Sequence, residues 1–62
     1  MCLAKAYCER DEKRELLLED VALLEIDGRT LRLATLFGEE RELQGRVRAV
    51  DFQEGTVLVE QD

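Results

Sequence analysis

Apolar and polar residues alternate with a period of two along most of the chain, and turn-forming pairs interrupt the alternation. Leu3 to Cys8 opens the pattern: Cys2, Ala4, Ala6 and Cys8 share one face of an extended segment, Lys5 and Tyr7 the other. Ile26-Asp27-Gly28-Arg29 is the clearest punctuation, because Asp-Gly suits a two-residue type I′ hairpin in which both central residues need positive φ. Pairing Ile26 with Arg29 sets Leu24 against Leu31 and Ala22 against Leu33 on an apolar face. The other face carries Glu25 opposite Thr30 and Leu23 opposite Arg32. Glu54-Gly55 predicts a second two-residue hairpin, with Phe52 against Val57 and Val50 against Val59. Between them, Arg41 to Phe52 reads as one long strand. Val47 and Ala49 point one way and Val50 and Phe52 the other, so a bulge or sharp bend is expected near Ala49–Val50.

Glu15 to Ile26 is ambiguous, since apolar positions 17, 21 and 24 also fit a helix and Leu and Glu favour one. The Asp27-Gly28 hairpin decides for strand from Val21 onward, leaving Leu16-Leu17-Leu18 as its beginning or as a bend. That leucine run suits a core or a dimer surface. Gly28, Gly38, Gly45 and Gly55 are spaced as turns between short strands, and Phe37-Gly38 as a strand end packed on the core before a turn. The predicted fold is all-β: one domain over residues 1–62, a small five- to six-stranded SH3-like antiparallel barrel.

Composition narrows what such a barrel can do. A chain of 62 residues buries only about 60% of its unfolded surface, so a metal, disulfide or partner subunit is often needed. No apolar run is long enough to span a membrane, no secretory signal is visible, and a cytoplasmic protein is expected. A net charge of −6 repels phosphate backbones, the cations do not cluster, and only Tyr7, Phe37 and Phe52 are aromatic. Nucleic acid is therefore not an expected partner. Cys2 and Cys8 lie roughly 20 Å apart along one strand, too far for a disulfide, and two free thiols fit a reducing compartment.

There is no His, so Ser-His-Asp and Cys-His chemistry is absent. Nor is there a glycine-rich phosphate loop. Carboxylate pairs such as Glu19-Asp20 and Glu39-Glu40 are those of a solvated surface, and the chain is not expected to be an enzyme. Cys2 is the remaining candidate. With Met1 retained, the Met1 amine, the Cys2 amide nitrogen and the Cys2 thiolate form two fused five-membered chelate rings; with Met1 removed, Cys2 is itself an amine–thiolate chelator. Planar nitrogen–thiolate donors suit Ni(II) and also Cu(II), and tetrahedral S₂N₂ suits Zn(II). A two-fold dimer bringing two such ends together supplies S₂N₂ from identical halves. On local physics alone, a small hydrophobe in an edge strand outweighs a ligand at Cys2. Cys8, in the Ala4–Ala6 row, is expected to be buried and inert.

Met1-Cys2-Leu3-Ala4-Lys5-Ala6-Tyr7, Glu19-Asp20-Val21-Ala22, the Asp27-Gly28 turn, Leu36-Phe37-Gly38-Glu39 and Val57-Leu58-Val59-Glu60 together resemble the CooT family, small nickel-binding proteins associated with carbon monoxide dehydrogenase maturation. The resemblance spans nearly the whole chain. It implies a homodimeric small β-barrel in which the cysteine after the initiator Met, here Cys2, binds Ni(II). A nickel chaperone or storage role in metalloenzyme maturation follows, with a metalloenzyme or maturation factor as target. Met1-Cys2-Leu3-Ala4 also resembles the start of the HypC hydrogenase-maturation chaperones, but those continue Ile-Pro where this chain has Lys5-Ala6 and no Pro. A HypC-like chaperone or a metal-free protein-interaction module is the alternative function.

Overall fold

A computed structural model describes residues 3–62; Met1 and Cys2 lie outside the described residues. Five strands follow in chain order: β1 (Ala4–Arg10), β2 (Lys13–Asp27), β3 (Thr30–Thr35), β4 (Glu40–Asp51) and β5 (Thr56–Gln61). Each pairs with its sequence neighbours, and β5 returns to β1 to close a barrel. The all-β barrel expectation is met. Four of the five seams are antiparallel, while the closing β1–β5 seam is parallel and runs from Lys5↔Thr56 to Cys8↔Val59. No helix occurs among the described residues, so none is long and apolar enough to cross a membrane.

Two long strands make closure possible in so short a chain. The first part of β2 pairs with β1 and its last part with β3, with register shifts between Ala4 and Ala6 and between Val21 and Leu23. Asp20 sits at the first irregularity with a φ of 57°, a conformation an Asp side chain tolerates better than most. The stretch that also fitted a helix is therefore strand throughout, Leu16 to Leu18 included. β4 divides in the same way, giving Glu40–Gln44 to β3 and Gly45–Asp51 to β5. Its bulge falls between Val47 and Ala49, one residue before the position expected. Bulges of this kind bend a strand and increase its twist, which is how a small sheet turns a corner.

Leu31, Leu33 and Val59 are completely enclosed, and Ala6, Cys8, Leu18, Val21, Leu43 and Val57 complete the buried cluster. Enclosing each large aliphatic contributes about 1.5–3 kcal/mol. The even row of β1 faces inward as expected, with Ala6 and Cys8 buried and Lys5 exposed.

The hairpins differ from their sequence-based registers. Asp27 pairs with Thr30, Ile26 with Leu31 and Leu24 with Leu33, so Gly28-Arg29 rather than Asp27-Gly28 forms the two-residue turn. Gly28 has φ +60° and Arg29 is not among the positive-φ residues, the type II′ arrangement with Gly first. Placing Arg29 in the turn frees its carbonyl to accept the Gly45 N–H at 2.7 Å and its guanidinium to pair with Asp62. The register changes by two residues, so the faces are preserved. At the second hairpin Asp51 pairs with Thr56 and Val50 with Val57, leaving a four-residue loop, Phe52 to Gly55. The Asp51 carboxylate accepts the Gln53 and Glu54 N–H groups, each at 3.0 Å, and its carbonyl accepts the Gly55 N–H at 2.8 Å. Those bonds reward the longer loop, and they eject Phe52 from the apolar face. Gly45 is not a turn residue; it lies inside β4.

A third tight turn lies within the charged run Glu9 to Arg14. Asp11 and Glu12 have φ of 52° and 67° between the paired residues Arg10 and Lys13, a type I′ pattern built without glycine. Left-handed backbone costs an L-residue roughly 1–2 kcal/mol. Glu12→Gly is expected to raise stability by about 1 kcal/mol, seen as a higher urea midpoint at unchanged slope. A lower midpoint would mean that the Glu12 side chain contributes more than its backbone strain costs.

Candidate functional site

Both residues expected to hold metal, Met1 and Cys2, lie outside the described residues. The described chain begins at Leu3. Leu3, which follows Cys2 in sequence, lines a groove of about 240 Å³ together with Leu23, Val50, Asp51, Phe52 and Thr56. The start of β1 is held there from two sides: Ala4 pairs with Val21 of β2, and the Lys5 N–H donates to the Gly55 carbonyl at 2.9 Å. The rim is strongly apolar, with Phe52 90% and Val50 44% exposed. Among the described residues Asp51 is the only charged one in the lining, and its carboxylate is already engaged by the two turn N–H groups.

Cys8 is buried, and its thiol donates a weak hydrogen bond to Gln61 Oε1 at 3.8 Å. Burial of Cys8 agrees with the sequence-based expectation. Many carboxylates are spent on surface ion pairs. Glu60 Oε1 meets Arg46 at 2.7 Å and Glu60 Oε2 meets Arg48 at 3.2 Å, Arg48 also reaches Glu9 at 3.3 Å, and Glu42 meets Arg32 at 3.2 Å. The Arg29 side chain donates to the Asp62 carboxylate; this bond, followed by the Arg29 charge, holds Asp62 below the usual carboxylate range, and Arg29 is raised in turn. Arg32 is raised first by its hydrogen bond to Glu42. Among the described residues no group of three or more Cys, Asp or Glu is placed to hold a metal ion.

The groove itself was not anticipated. Val50 and Phe52 were placed on an apolar face paired with β5, and Leu23 on a mixed face opposite Arg32, so three separate strand positions gave no sign of converging beside the N-terminal segment. Phe37 is also corrected. Expected against the core, it is 80% exposed at the tip of the β3–β4 turn.

Residues 1–60 match the family of the CO dehydrogenase accessory protein CooT. The chain belongs to the CooT family. Its fold agrees: a crystal structure of a protein assigned as CooT from Carboxydothermus hydrogenoformans superposes with a TM-score of 0.90 at 26% identity, covering 98% of each chain. An uncharacterized protein of Methanocaldococcus jannaschii is 33% identical over 46 residues, 74% of this chain and 81% of that one. Of the two resemblances seen in the sequence, the match is to CooT, a family of accessory proteins, and a maturation-related role follows from it.

Proposed function

We propose that the chain is a Ni(II)-binding maturation factor that holds the metal through the Cys2 thiolate and nitrogen donors of Met1 and Cys2, at the interface of a homodimer. The observation that carries this reading is the position of Leu3. Leu3, the residue after Cys2 in the sequence, lines an apolar groove, and the described residues offer no competing donor set, which supports the reading. A thiolate with amine or amide nitrogens is a donor set for Ni(II), and one chain supplies only one thiolate. A second copy seated on the same groove doubles the donors.

The groove suits such a partner on electrostatic grounds. Two copies each carrying −6 repel wherever carboxylates face each other, and among the described residues this lining has only the internally bonded Asp51. A standard interface takes roughly 800 Å² from each partner, about a sixth of the 4688 Å² surface of this chain. Nickel and a second copy of the chain are thus the proposed partners, and a metalloenzyme the proposed recipient.

Titration with Ni(II) tests the assignment. A sulfur-to-nickel charge-transfer band is expected in the wild type and in Cys8→Ser, and none in Cys2→Ser. Unchanged affinity in Cys2→Ser would sink the proposal. Cu(II) is expected to bind at least as tightly, since divalent affinities rise toward copper, so affinity alone does not identify the metal used in the cell. A metal-free interaction module is the second reading, favoured by the bare Phe52 and Phe37 side chains. Native mass spectrometry separates the two: a dimer whose mass never shifts with metal supports the second.

A further inference from the structure

The β3–β4 turn forms a second exposed apolar feature, unlike the groove in charge. Leu36 and Phe37 are 53% and 80% exposed at its tip. This exposure is built rather than incidental. Thr35, buried, uses its Oγ1 to accept the Phe37 N–H at 3.2 Å and the Glu39 N–H at 3.0 Å. The Thr35 N–H donates to the Glu39 carbonyl at 2.8 Å, and the Gly38 N–H to the Thr35 carbonyl at 3.1 Å. The Leu36 N–H donates to the Asp20 carbonyl at 3.0 Å, fastening the turn to the bend of β2. Gly38 has φ +88°, which closes the turn at little cost. A turn fixed at so many points presents its phenylalanine in a set direction, so binding there would lose little conformational freedom.

The surroundings indicate what fits. The depression beside Phe37 is lined by Leu16, Leu18, Glu19, Asp20, Thr35 and Glu39, and among the described residues its lining contains three carboxylates and no cation. Lys5 reaches Glu19 from outside at 3.9 Å, a long pair between exposed groups that neutralises little, and Arg41 is drawn to the Leu17 carbonyl at 3.1 Å. Asp20 and Glu39 make no ion pair among the described residues. A second copy of this chain would bring its own carboxylates onto these. A partner with apolar side chains set among Lys and Arg would instead meet complementary charge. We propose that the Phe37 turn and the acidic depression beside it form a docking surface for a cationic amphipathic segment of another protein. It is distinct from the groove beside Leu3 and independent of metal binding.

The test uses the full-length protein and three synthetic helical peptides: a Lys/Leu amphipath, a Lys/Ser peptide of the same charge, and a Glu/Leu amphipath. The Lys/Leu peptide is expected to bind, to perturb the amide resonances of residues 16–20 and 35–39, and to bind less as salt rises. The other two peptides are expected not to bind. Phe37→Ser, at a position outside the core, is expected to weaken binding about tenfold or more with an unchanged thermal melt and an unchanged Ni(II) titration. Glu19→Gln with Asp20→Asn and Glu39→Gln is expected to weaken binding and flatten its salt dependence. Cys2→Ser is expected to bind the peptide normally, which separates this inference from the nickel proposal. Equal binding of the Lys/Ser peptide, full affinity in Phe37→Ser, resonance changes at the Leu3–Phe52 groove instead, or dissociation of a dimer by Phe37→Ser would each overturn it.

Discussion

Gly45→Ala is expected to destabilise the barrel by about 3 kcal/mol, the upper range for forcing extra atoms into a packed site. Gly45 lies where β4 leaves β3 and takes up β5, and its N–H donates to the Arg29 carbonyl at 2.7 Å. A Cβ added there would overlap the Glu60 carbonyl oxygen and come within 3.0 Å of Gln61 Cα and 3.1 Å of the Glu60 carbonyl carbon. These are backbone atoms of the neighbouring strand, so no side-chain rotation relieves the overlap. Relief requires β5 to move away from β4, which loosens Val59, one of the three largest fully enclosed side chains. A domain of this length is ordinarily stable by about 3–9 kcal/mol, so the substitution removes a large share. Urea denaturation reads the loss directly. Gly38→Ala is the control: open space surrounds its added Cβ, and only the positive φ is penalised, at about 1 kcal/mol. Equal losses at the two positions would refute the close-approach explanation.

The same glycine shows what the sequence carried and what it withheld. Gly28, Gly38 and Gly55 are turn glycines with positive φ, as their spacing indicated, because local backbone geometry is a local property. Gly45 looked like a fourth, yet its constraint is the distance to a strand fifteen residues away, which no local pattern encodes. The faces of β1, β3 and β5 were legible from period-two alternation. The hairpin registers were not, because each depended on a contact outside the hairpin or on a side chain bonding its own turn. Arg29 is drawn to Asp62 and Gly45, and Asp51 caps the loop that follows it. The Asp11-Glu12 turn carried only half of a hairpin signal: Asp suits the first position, but Glu stands where Gly is preferred at the second. Cys2 stood out as a candidate because a chain without His has few nitrogen and sulfur donors, and the resemblance to the CooT family raised it above a plain hydrophobe. The groove beside Leu3 was not legible, being assembled from β2, β4 and the β4–β5 loop.

Phe52→Glu is expected to weaken self-association by about 100-fold and to make nickel affinity depend on protein concentration. Central aromatic residues of an interface commonly account for 2 kcal/mol or more of its stability, and Phe52 is the most exposed large apolar side chain bordering the groove. In the proposed two-fold dimer the substitution also places a carboxylate near its symmetry mate, adding like-charge repulsion to the lost contact. The monomer itself should remain folded, because Phe52 contributes nothing to the buried cluster. The nickel effect then follows from linkage. A metal ligated by both copies must favour the dimer by the same factor by which dimerisation favours the metal. Nickel added to Phe52→Glu is therefore expected to restore dimer progressively, whereas nickel added to Phe52→Glu carrying Cys2→Ser is expected to leave it monomeric. Sedimentation of the four proteins, with and without Ni(II), measures both sides of that cycle. A Phe52→Glu monomer that binds nickel as tightly as the wild type would place all the donors on one chain and remove the dimer from the metal site.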